Sequence, residues 1–325
     1  MKRTVNKLVS GARRAAYLVP GRPDYAQFEI TNRCNLNCAM CPRTKYYKVK
    51  IIDMPYDVYT AALDKLLPLR LATLTGWGEP LLHKQLYDMI RYARAKGVAD
   101  VAITTNGVLL NHDHIKELLS CGLTALRVSV DDLAAPGDKN ATSGHGGGAE
   151  IMDKVERLLA QRTGPLPRVA LAVTISPENH DHVFRLIDRA AQIRMDMVAL
   201  MRMNDRFDES LNRYSFEEEK MVCAEYIAHA AKAGIKIGTP QQMFKGIRRI
   251  LYLGGEKCPV TYDSVYVTAE GKITPCCALP KFVIGDILSQ DIETIWNSDK
   301  FKRFRRDQRQ ACAHCDLLDR RYKAR

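Results

Sequence analysis

A chain of 325 residues is long enough for one large α/β domain with a smaller one beside it. Its 46% hydrophobic and 26% charged content is that of an ordinary globular protein, not of a disordered or fibrous one, and no apolar run approaches a membrane span. The formal charge of +12 favours anionic partners, but part of the excess sits near the termini at Lys2, Arg3, Lys7, Arg13, Arg14, Arg320, Arg321, Lys323 and Arg325, so charge is a weak guide to substrate. Ten clustered cysteines, with no secretory signal in view, point to a reducing compartment and to metal ligation over disulfides. A cytoplasmic location is expected.

Residues 1–20 place Val5, Leu8, Val9, Ala12, Ala16 and Val19 on one helical face, with Lys7, Arg13 and Arg14 opposite. This is either a helix that closes its own barrel or one that touches a membrane surface or partner. Pro20-Gly21-Arg22-Pro23 ends it. Six strand-then-helix units follow, with strands at 25–30, 69–75, 98–105, 123–131, 168–175 and 195–201. Alternation of this kind predicts an α/β fold whose parallel sheet curls toward a partial (β/α)6 barrel, with functional residues on loops at the C-terminal strand ends. The stretch 134–149 is long and glycine-rich without phosphate-loop spacing, and is read as a lid. A helical bridge over 206–257 includes one long helix, Phe216–Ala233, started by Glu217, Glu218 and Glu219. The domains are thus 1–24, 25–205, 206–257 and a cysteine-rich extension, 258–325. Cys121 and Cys223 have no metal-like neighbours and are read as packing residues.

Cys34-Asn35-Leu36-Asn37-Cys38-Ala39-Met40-Cys41 follows the first strand, and Thr31-Asn32-Arg33 breaks the alternation before it. Three thiolates on one loop suit a soft metal. They do not complete a four-iron cluster, so one iron would remain open to another ligand. A zinc knuckle with a distant fourth ligand is the alternative. After the second strand, Gly76-Trp77-Gly78-Glu79-Pro80 combines glycines that admit close backbone approach with an acceptor for an ammonium group. In the extension, Cys258 precedes a hairpin at 264–268 and 272–274 turning at Ala269-Glu270-Gly271. Cys276 and Cys277 follow, then a helical stretch at 291–304, then Cys312-Ala313-His314-Cys315. Cys258, Cys276, Cys312 and Cys315 suffice to close a metal site, whether an iron–sulfur cluster or a zinc ribbon.

The CxxxCxxC loop resembles the signature of the radical S-adenosylmethionine (SAM) superfamily. The resemblance implies that Cys34, Cys38 and Cys41 hold a 4Fe–4S cluster whose fourth iron is chelated by SAM, which is cleaved to a 5′-deoxyadenosyl radical. It assigns Gly78 and Glu79 to the SAM amino group, as in the family's GGEP motif, with Trp77 departing from its first glycine. Thr104-Thr105-Asn106-Gly107 resembles the TNG element and Ser129-Val130-Asp131 the SxD element. Asn106 and Ser129 are thereby placed near SAM, and Asp131, the catalytic candidate, is expected to face the centre, where it binds substrate or ribose, with capping or pairing to a barrel arginine as the alternative. Met40 and Met201 are expected near the adenine, with ordinary core packing as the alternative. The C-terminal spacing is similar to the SPASM/twitch extension and implies a second, auxiliary 4Fe–4S cluster. Full SPASM domains have seven cysteines and this chain has enough for one cluster. Cys277 and His314 are left outside the ligand shell.

These likenesses imply a radical SAM enzyme that abstracts a substrate hydrogen. The expected reaction is oxidation of a polar small molecule such as a sugar or aminocyclitol, with the auxiliary cluster as electron conduit and a flavodoxin- or ferredoxin-type donor. Ribosomal-peptide modification and redox-neutral epimerisation remain alternatives, so the substrate is a small molecule or a peptide. A resemblance to the molybdenum-cofactor GTP cyclase is weaker. A non-enzymatic zinc or iron–sulfur protein that binds nucleic acid would rest on Lys302-Arg303-Phe304-Arg305-Arg306, whose simpler reading is a solvated helix face. No nucleic-acid partner is expected, and membrane contact is confined to residues 1–20.

Overall fold

The computed structural model describes residues 21–45, 50–134, 147–203, 208, 210–240, 258–312 and 315. The expected N-terminal helix, His314 and most of the glycine-rich stretch 134–149 lie outside the described residues. The strands are β1 (Tyr25–Phe28), β2 (Leu71–Thr73), β3 (Asp100–Thr105), β4 (Ala125–Ser129), β5 (Arg168–Ile175), β6 (Met197–Arg202), β7 (Ile237–Gly238), β8 (Ser264–Val267), β9 (Lys272–Thr274) and β10 (Gly285–Asp286). They form one sheet in the order β10-β9-β8-β1-β2-β3-β4-β5-β6-β7. Every pairing from β8 to β7 is parallel, while β9 and β10 run antiparallel. The expected six-strand core is therefore present as a partial barrel. It is extended beyond β1, because β8 of the cysteine-rich segment pairs with β1 in register from Tyr25↔Ser264 to Phe28↔Val267.

Alternation along the strands separates two faces. Ala26, Phe28 and Ile30 of β1, Val101 and Ile103 of β3, Leu126 and Val128 of β4, Leu171 and Val173 of β5, and Val198 and Leu200 of β6 are buried against the helices. Phe28 packs edge-on to Tyr59 with ring centroids 5.1 Å apart. The inner face carries Gln27, Thr73, Thr104, Arg127, Ser129, Thr174 and Met201, joined across the strands by the Thr104↔Arg127 and Thr174↔Met201 registers. A hydrophobic shell thus encloses a polar wall, the arrangement of a barrel that binds something within.

The helices are α1 (Tyr56–Leu66), α2 (Leu86–Ala95), α3 (His112–Ser120), α4 (Gly148–Gln161), α5 (His180–Gln192) and α6 (Phe216–Ala233). On α5 the buried residues Val183, Leu186, Ile187 and Ala190 recur at helical spacing and form the stripe laid on the sheet. A reciprocal Ser215–Glu218 capping box starts α6, and Gly234 in the left-handed region (φ 73°) ends it.

The stretch expected to be helical at 291–304 is two helices, α7 (Ile292–Trp296) and α8 (Asp299–Arg306). The break has a physical cause, because the Ser298 side chain accepts the Phe301 N–H and caps α8. The basic run on α8 is not a uniform solvated face either. Lys302, Arg303 and Arg306 are exposed, whereas Phe304 and Arg305 are buried. The Arg305 guanidinium lies 4.0 Å from the Trp296 ring and 3.7 Å from the Phe301 ring. It donates to the carbonyls of Trp296 (2.8 Å) and Thr261 (2.9 Å), and burial pushes its pKa down to about 10. Arg305 therefore ties the last helices to the segment after Cys258.

Gln308 completes that tie. Its Oε1 accepts the Cys258 N–H at 2.5 Å, and its Nε2 donates to the Thr261 hydroxyl at 2.7 Å. The side chain is buried, so removing it strands a buried backbone donor. Gln308→Ala is expected to cost about 1–3 kcal/mol of stability, read as a lower denaturant midpoint of the metal-free protein. An unchanged midpoint would mean that water replaces both bonds.

Candidate active site

Both feet of the cysteine loop are tied down by the chain that returns after it. Asn32 exchanges backbone and side-chain hydrogen bonds with Lys50 and Ile52, the Thr31 hydroxyl donates to Asp53 (2.6 Å), and Arg33 forms an ion pair with Asp53. Within the loop, Arg43 folds back to bond the Leu36 carbonyl and the Asn37 side chain, while the Cys41 N–H bonds the Cys38 carbonyl at 3.1 Å. The thiols of Cys34, Cys38 and Cys41 come together. Burial, then the neighbouring Cys41 and Cys34, pushes Cys38 up to about 11, and burial likewise raises Cys34.

The Gly-Trp-Gly-Glu-Pro turn docks onto this loop edge-on. The Gly78 N–H bonds the Thr31 carbonyl (3.2 Å) and the Glu79 N–H bonds the Arg33 carbonyl (2.8 Å), immediately before Cys34. A Cβ at position 78 would lie 2.4 Å from the Arg33 oxygen and 2.6 Å from the Thr31 oxygen, so only glycine admits this approach. Glu79 is buried, and its carboxylate accepts the Leu81 N–H (3.1 Å), the Thr105 hydroxyl (2.6 Å) and the Asn106 N–H (2.8 Å). Burial raises its pKa against the pull of those donors. Three acceptor positions of the carboxylate are therefore spent, two on holding the end of β3 and one on capping its own turn at Leu81, which leaves one on Oε2. Asn106 in turn donates to the Asn35 side chain (2.9 Å), and its amide lies 3.9 Å from the Cys34 sulfur.

Asp131 lies just past β4, and its Oδ1 accepts the Thr174 N–H at 2.7 Å. Oδ2 has no hydrogen-bond partner among the described residues. Asn179 braces the same corner by donating to the carbonyls of Asp131 (3.1 Å) and Thr174 (2.8 Å). Burial pushes the carboxyl up to about 7, and it is near enough to Cys38 to raise that thiol. Ser129 and Met40 are half-buried, while Met201 is 40% exposed on the inner end of β6. Cys121 and Cys223 are buried in the core, as expected of packing residues.

The second thiol group forms in the C-terminal lobe. Burial, then Cys315 and Cys312, pushes Cys258 up to about 12, and Cys276 is raised well above the usual range by burial, then Cys277, Cys258 and Cys315. The Thr274 hydroxyl and the Leu279 N–H hold the Cys276 carbonyl, and the Cys315 N–H bonds the Cys312 carbonyl. Cys277 lies beside this group and beside Glu29, and burial pushes it up to about 11. Among the described residues no three His, Cys, Asp or Glu side chains converge as a single metal ion requires. Two sets of neighbouring thiols, one of Cys34, Cys38 and Cys41 and one in which Cys258 neighbours Cys276, Cys312 and Cys315, suit iron–sulfur clusters by donor chemistry.

Sequence patterns did not single out Glu29, Tyr266 or Arg127. Glu29 is buried just past β1, close to the Tyr266 hydroxyl and the backbone N–H groups of Trp77 and Ala269, and burial raises its pKa against their pull. Trp77 donates its indole N–H to the Cys277 carbonyl at 3.0 Å. Arg127 is exposed on the inner wall, with no hydrogen bond or ion pair to another described residue. A charged residue at an inward strand position was the available signal for Glu29 and Arg127.

The comparisons agree with this geometry. Along 322 residues the chain is 26% identical to the tungsten-containing aldehyde ferredoxin oxidoreductase cofactor-modifying protein of Pyrococcus furiosus, covering 91% of this chain and 88% of the relative. It is 24% identical over 323 residues to the AdoMet-dependent heme synthase of Methanosarcina barkeri, with the same coverage of 91% and 88%. The crystal structure of Streptococcus suis SuiB bound to precursor peptide SuiA shares the fold, with a TM-score of 0.74 at 13% identity over 96% of this chain and 74% of that one. The cofactors are SAM, the 4Fe–4S cluster that binds it, and auxiliary iron–sulfur. Residues 28–194 match the radical SAM superfamily and residues 258–316 match SPASM, an iron–sulfur cluster-binding domain; the chain is a radical SAM enzyme with a C-terminal SPASM domain.

Proposed function

We propose that this enzyme oxidises a polar small molecule by removing a hydrogen atom, a proton and an electron from one C–H-bearing alcohol or amine group. The observation that carries the reading is the closed set of Cys258, Cys276, Cys312 and Cys315. Four thiolates saturate a 4Fe–4S cluster and leave no iron for substrate, so the lobe suits electron transfer. When bound, the first cluster and SAM supply a 5′-deoxyadenosyl radical that takes a hydrogen atom from an unactivated carbon. The chain's residues orient the substrate, exclude water and receive what must still leave. Conversion of the resulting carbon radical to a carbonyl or imine releases one proton and one electron. Asp131, with Oδ1 held by Thr174, presents Oδ2 as proton acceptor, and the electron leaves toward the four-thiol lobe.

The inner wall supports a polar substrate. Gln27, Thr73, Thr104, Ser129 and Thr174 offer hydroxyl and amide groups, and Arg127 offers a cation for a carboxylate or phosphate. In this reading Gly78 and Asn106 would shape the SAM site against Cys34, Glu79 would offer its remaining acceptor position to the SAM ammonium, and Ser129, Met40 and Met201 would border the nucleoside. Reducing electrons for the first cluster come from a flavodoxin- or ferredoxin-type donor in the cytoplasm. Among the described residues no helix is long and apolar enough to cross a membrane.

Iron and sulfide per chain after anaerobic reconstitution test the cluster assignment. About eight irons, falling to about four when Cys34, Cys38 and Cys41 are all changed to Ala, are expected. About four irons with zinc in the C-terminal site removes the electron acceptor and the oxidation with it. Gly78→Ala, which pushes a methyl into the Thr31 and Arg33 carbonyls, is expected to weaken SAM binding at least about tenfold by calorimetry; an unchanged affinity means the loop yields without cost. For Asp131 the sign follows from its raised pKa: the carboxyl is protonated below about 7 and becomes a proton acceptor above it. Oxidised product should therefore rise with pH through that range. Asp131→Asn should lower product by about 10²-fold or more while 5′-deoxyadenosine still forms. Equal product yields at every pH in both proteins would remove Asp131 from the reaction.

A further inference from the structure

We infer that Trp77 and Glu29 form a bridge through which the SAM-site loop and the auxiliary-cluster loop hold each other in place. Trp77 stands where the resembled GGEP motif has its first glycine, and its side chain crosses between the lobes. On one side its backbone continues into Gly78 and Glu79, whose N–H groups bond the carbonyls of Thr31 (3.2 Å) and Arg33 (2.8 Å) at the threshold of Cys34. On the other, its indole N–H bonds the Cys277 carbonyl at 3.0 Å, one residue from Cys276. Glu29 fixes the crossing point. Its carboxyl lies close to the backbone N–H groups of Trp77 in the barrel and Ala269 in the C-terminal hairpin, and to the Tyr266 hydroxyl, all of which oppose the rise in pKa that burial causes. Its own N–H bonds the Val267 carbonyl at 2.9 Å. Gly76 makes room, since a Cβ there would lie 2.5 Å from the Glu29 Cγ.

A hydrogen bond worth about 0.5–1.5 kcal/mol at each step is small alone. Here the bonds run in series between two loops that each depend on their thiols being loaded, so ordering one loop lowers the cost of ordering the other. Such coupling is reciprocal: a perturbation at the auxiliary site must appear in SAM affinity, by the same factor as the reverse. Trp77 is a positioning residue in this scheme and touches neither substrate nor proton transfer. The inference rests on the cofactors of the family and not on the oxidation reading, and the two fail separately.

The test is a double-mutant cycle read by SAM affinity on reconstituted protein, with W77F as one arm and Cys312→Ala with Cys315→Ala as the other. W77F keeps an aromatic ring and loses the indole N–H together with the second ring of the side chain. Each arm is expected to weaken SAM binding about fivefold, and the combined protein no further than either arm. Amide exchange at Ala278 and Leu279 should quicken about tenfold in W77F, and W77G, which restores the motif's glycine, should do the same. Effects that multiply in full would show that Trp77 is not the link. The arm lacking Cys312 and Cys315 decides the matter even if W77F does not fold: SAM affinity unchanged there overturns the coupling.

Discussion

The pairing of β8 alongside β1 is the constraint on which both thiol sites depend. These strands run parallel, so their C-terminal ends emerge at the same side of the sheet. From β1 the chain passes through Glu29 to the loop of Cys34, Cys38 and Cys41. From β8 it turns at Gly271 near that side and runs back antiparallel as β9, with Thr274 opposite Tyr266, so that Cys276 and Cys277 lie toward the start of β8, which Cys258 precedes. Backbone hydrogen bonds between two strands thus set the spacing of two cofactor sites that lie far apart in sequence. The inner and outer faces of β1 divide the work, with Phe28 and Ile30 buried among the helices and Gln27 and Glu29 turned inward.

Thiol chemistry explains why such a frame is built around loops. A thiol whose pKa is raised by burial and by neighbouring sulfurs stays protonated near neutral pH, as Cys38, Cys258 and Cys276 do. A soft cation reverses this by binding the thiolates and releasing their protons, so loading stabilises the folded lobe. The scaffold must hold the sulfurs close before that happens. Backbone ties do so at the first site, through Asn32 with Ile52 and Gly78 with Thr31. At the second site Gln308 on Cys258 and Arg305 on Thr261 do the same.

The six barrel strands were legible because apolar alternation set them apart from their helices, and β5 has the expected bounds of 168–175. The expected spans of β1, β2 and β4 run two residues past the observed ends, and those of β2, β3, β4 and β6 begin two residues early, since alternation continues where the ladder stops; β6 instead extends one residue further, to Arg202. Two-residue strands such as β7 leave no periodic signal at all. The ligand and motif residues were legible as spacing: Cys34, Cys38 and Cys41, then Gly78 and Glu79, then Asn106 do meet around one loop. Spacing could not show that Glu79 spends two acceptor positions of its carboxylate on the end of β3, because its partners Thr105 and Asn106 belong to another strand end. Nor could it show Arg305 buried on Trp296 and Phe301. A run of basic residues reads as solvated until the aromatic neighbours that cover one of them are brought in by the break at Ser298.

Charge distribution argues further about what the barrel admits. The chain as a whole is strongly basic, yet its inner wall is not: described positions there carry hydroxyls, amides and small side chains, with Arg127 as the cation and Glu29 and Asp131 as buried acids. A nucleic acid would need a continuous basic surface to neutralise successive phosphates, and the exposed members of the α8 run, Lys302, Arg303 and Arg306, lie on a helix of the C-terminal lobe instead. One cation amid neutral hydrogen-bonding groups suits a compact molecule with at most one anionic group. Burial raises the pKa of both Glu29 and Asp131 and so disfavours their ionised forms, and an ionised carboxylate beside thiolate-bound iron would oppose its reduction. The same burial that raises the Asp131 pKa to about 7 brings its change of charge close to neutrality, unlike that of an ordinary surface carboxylate.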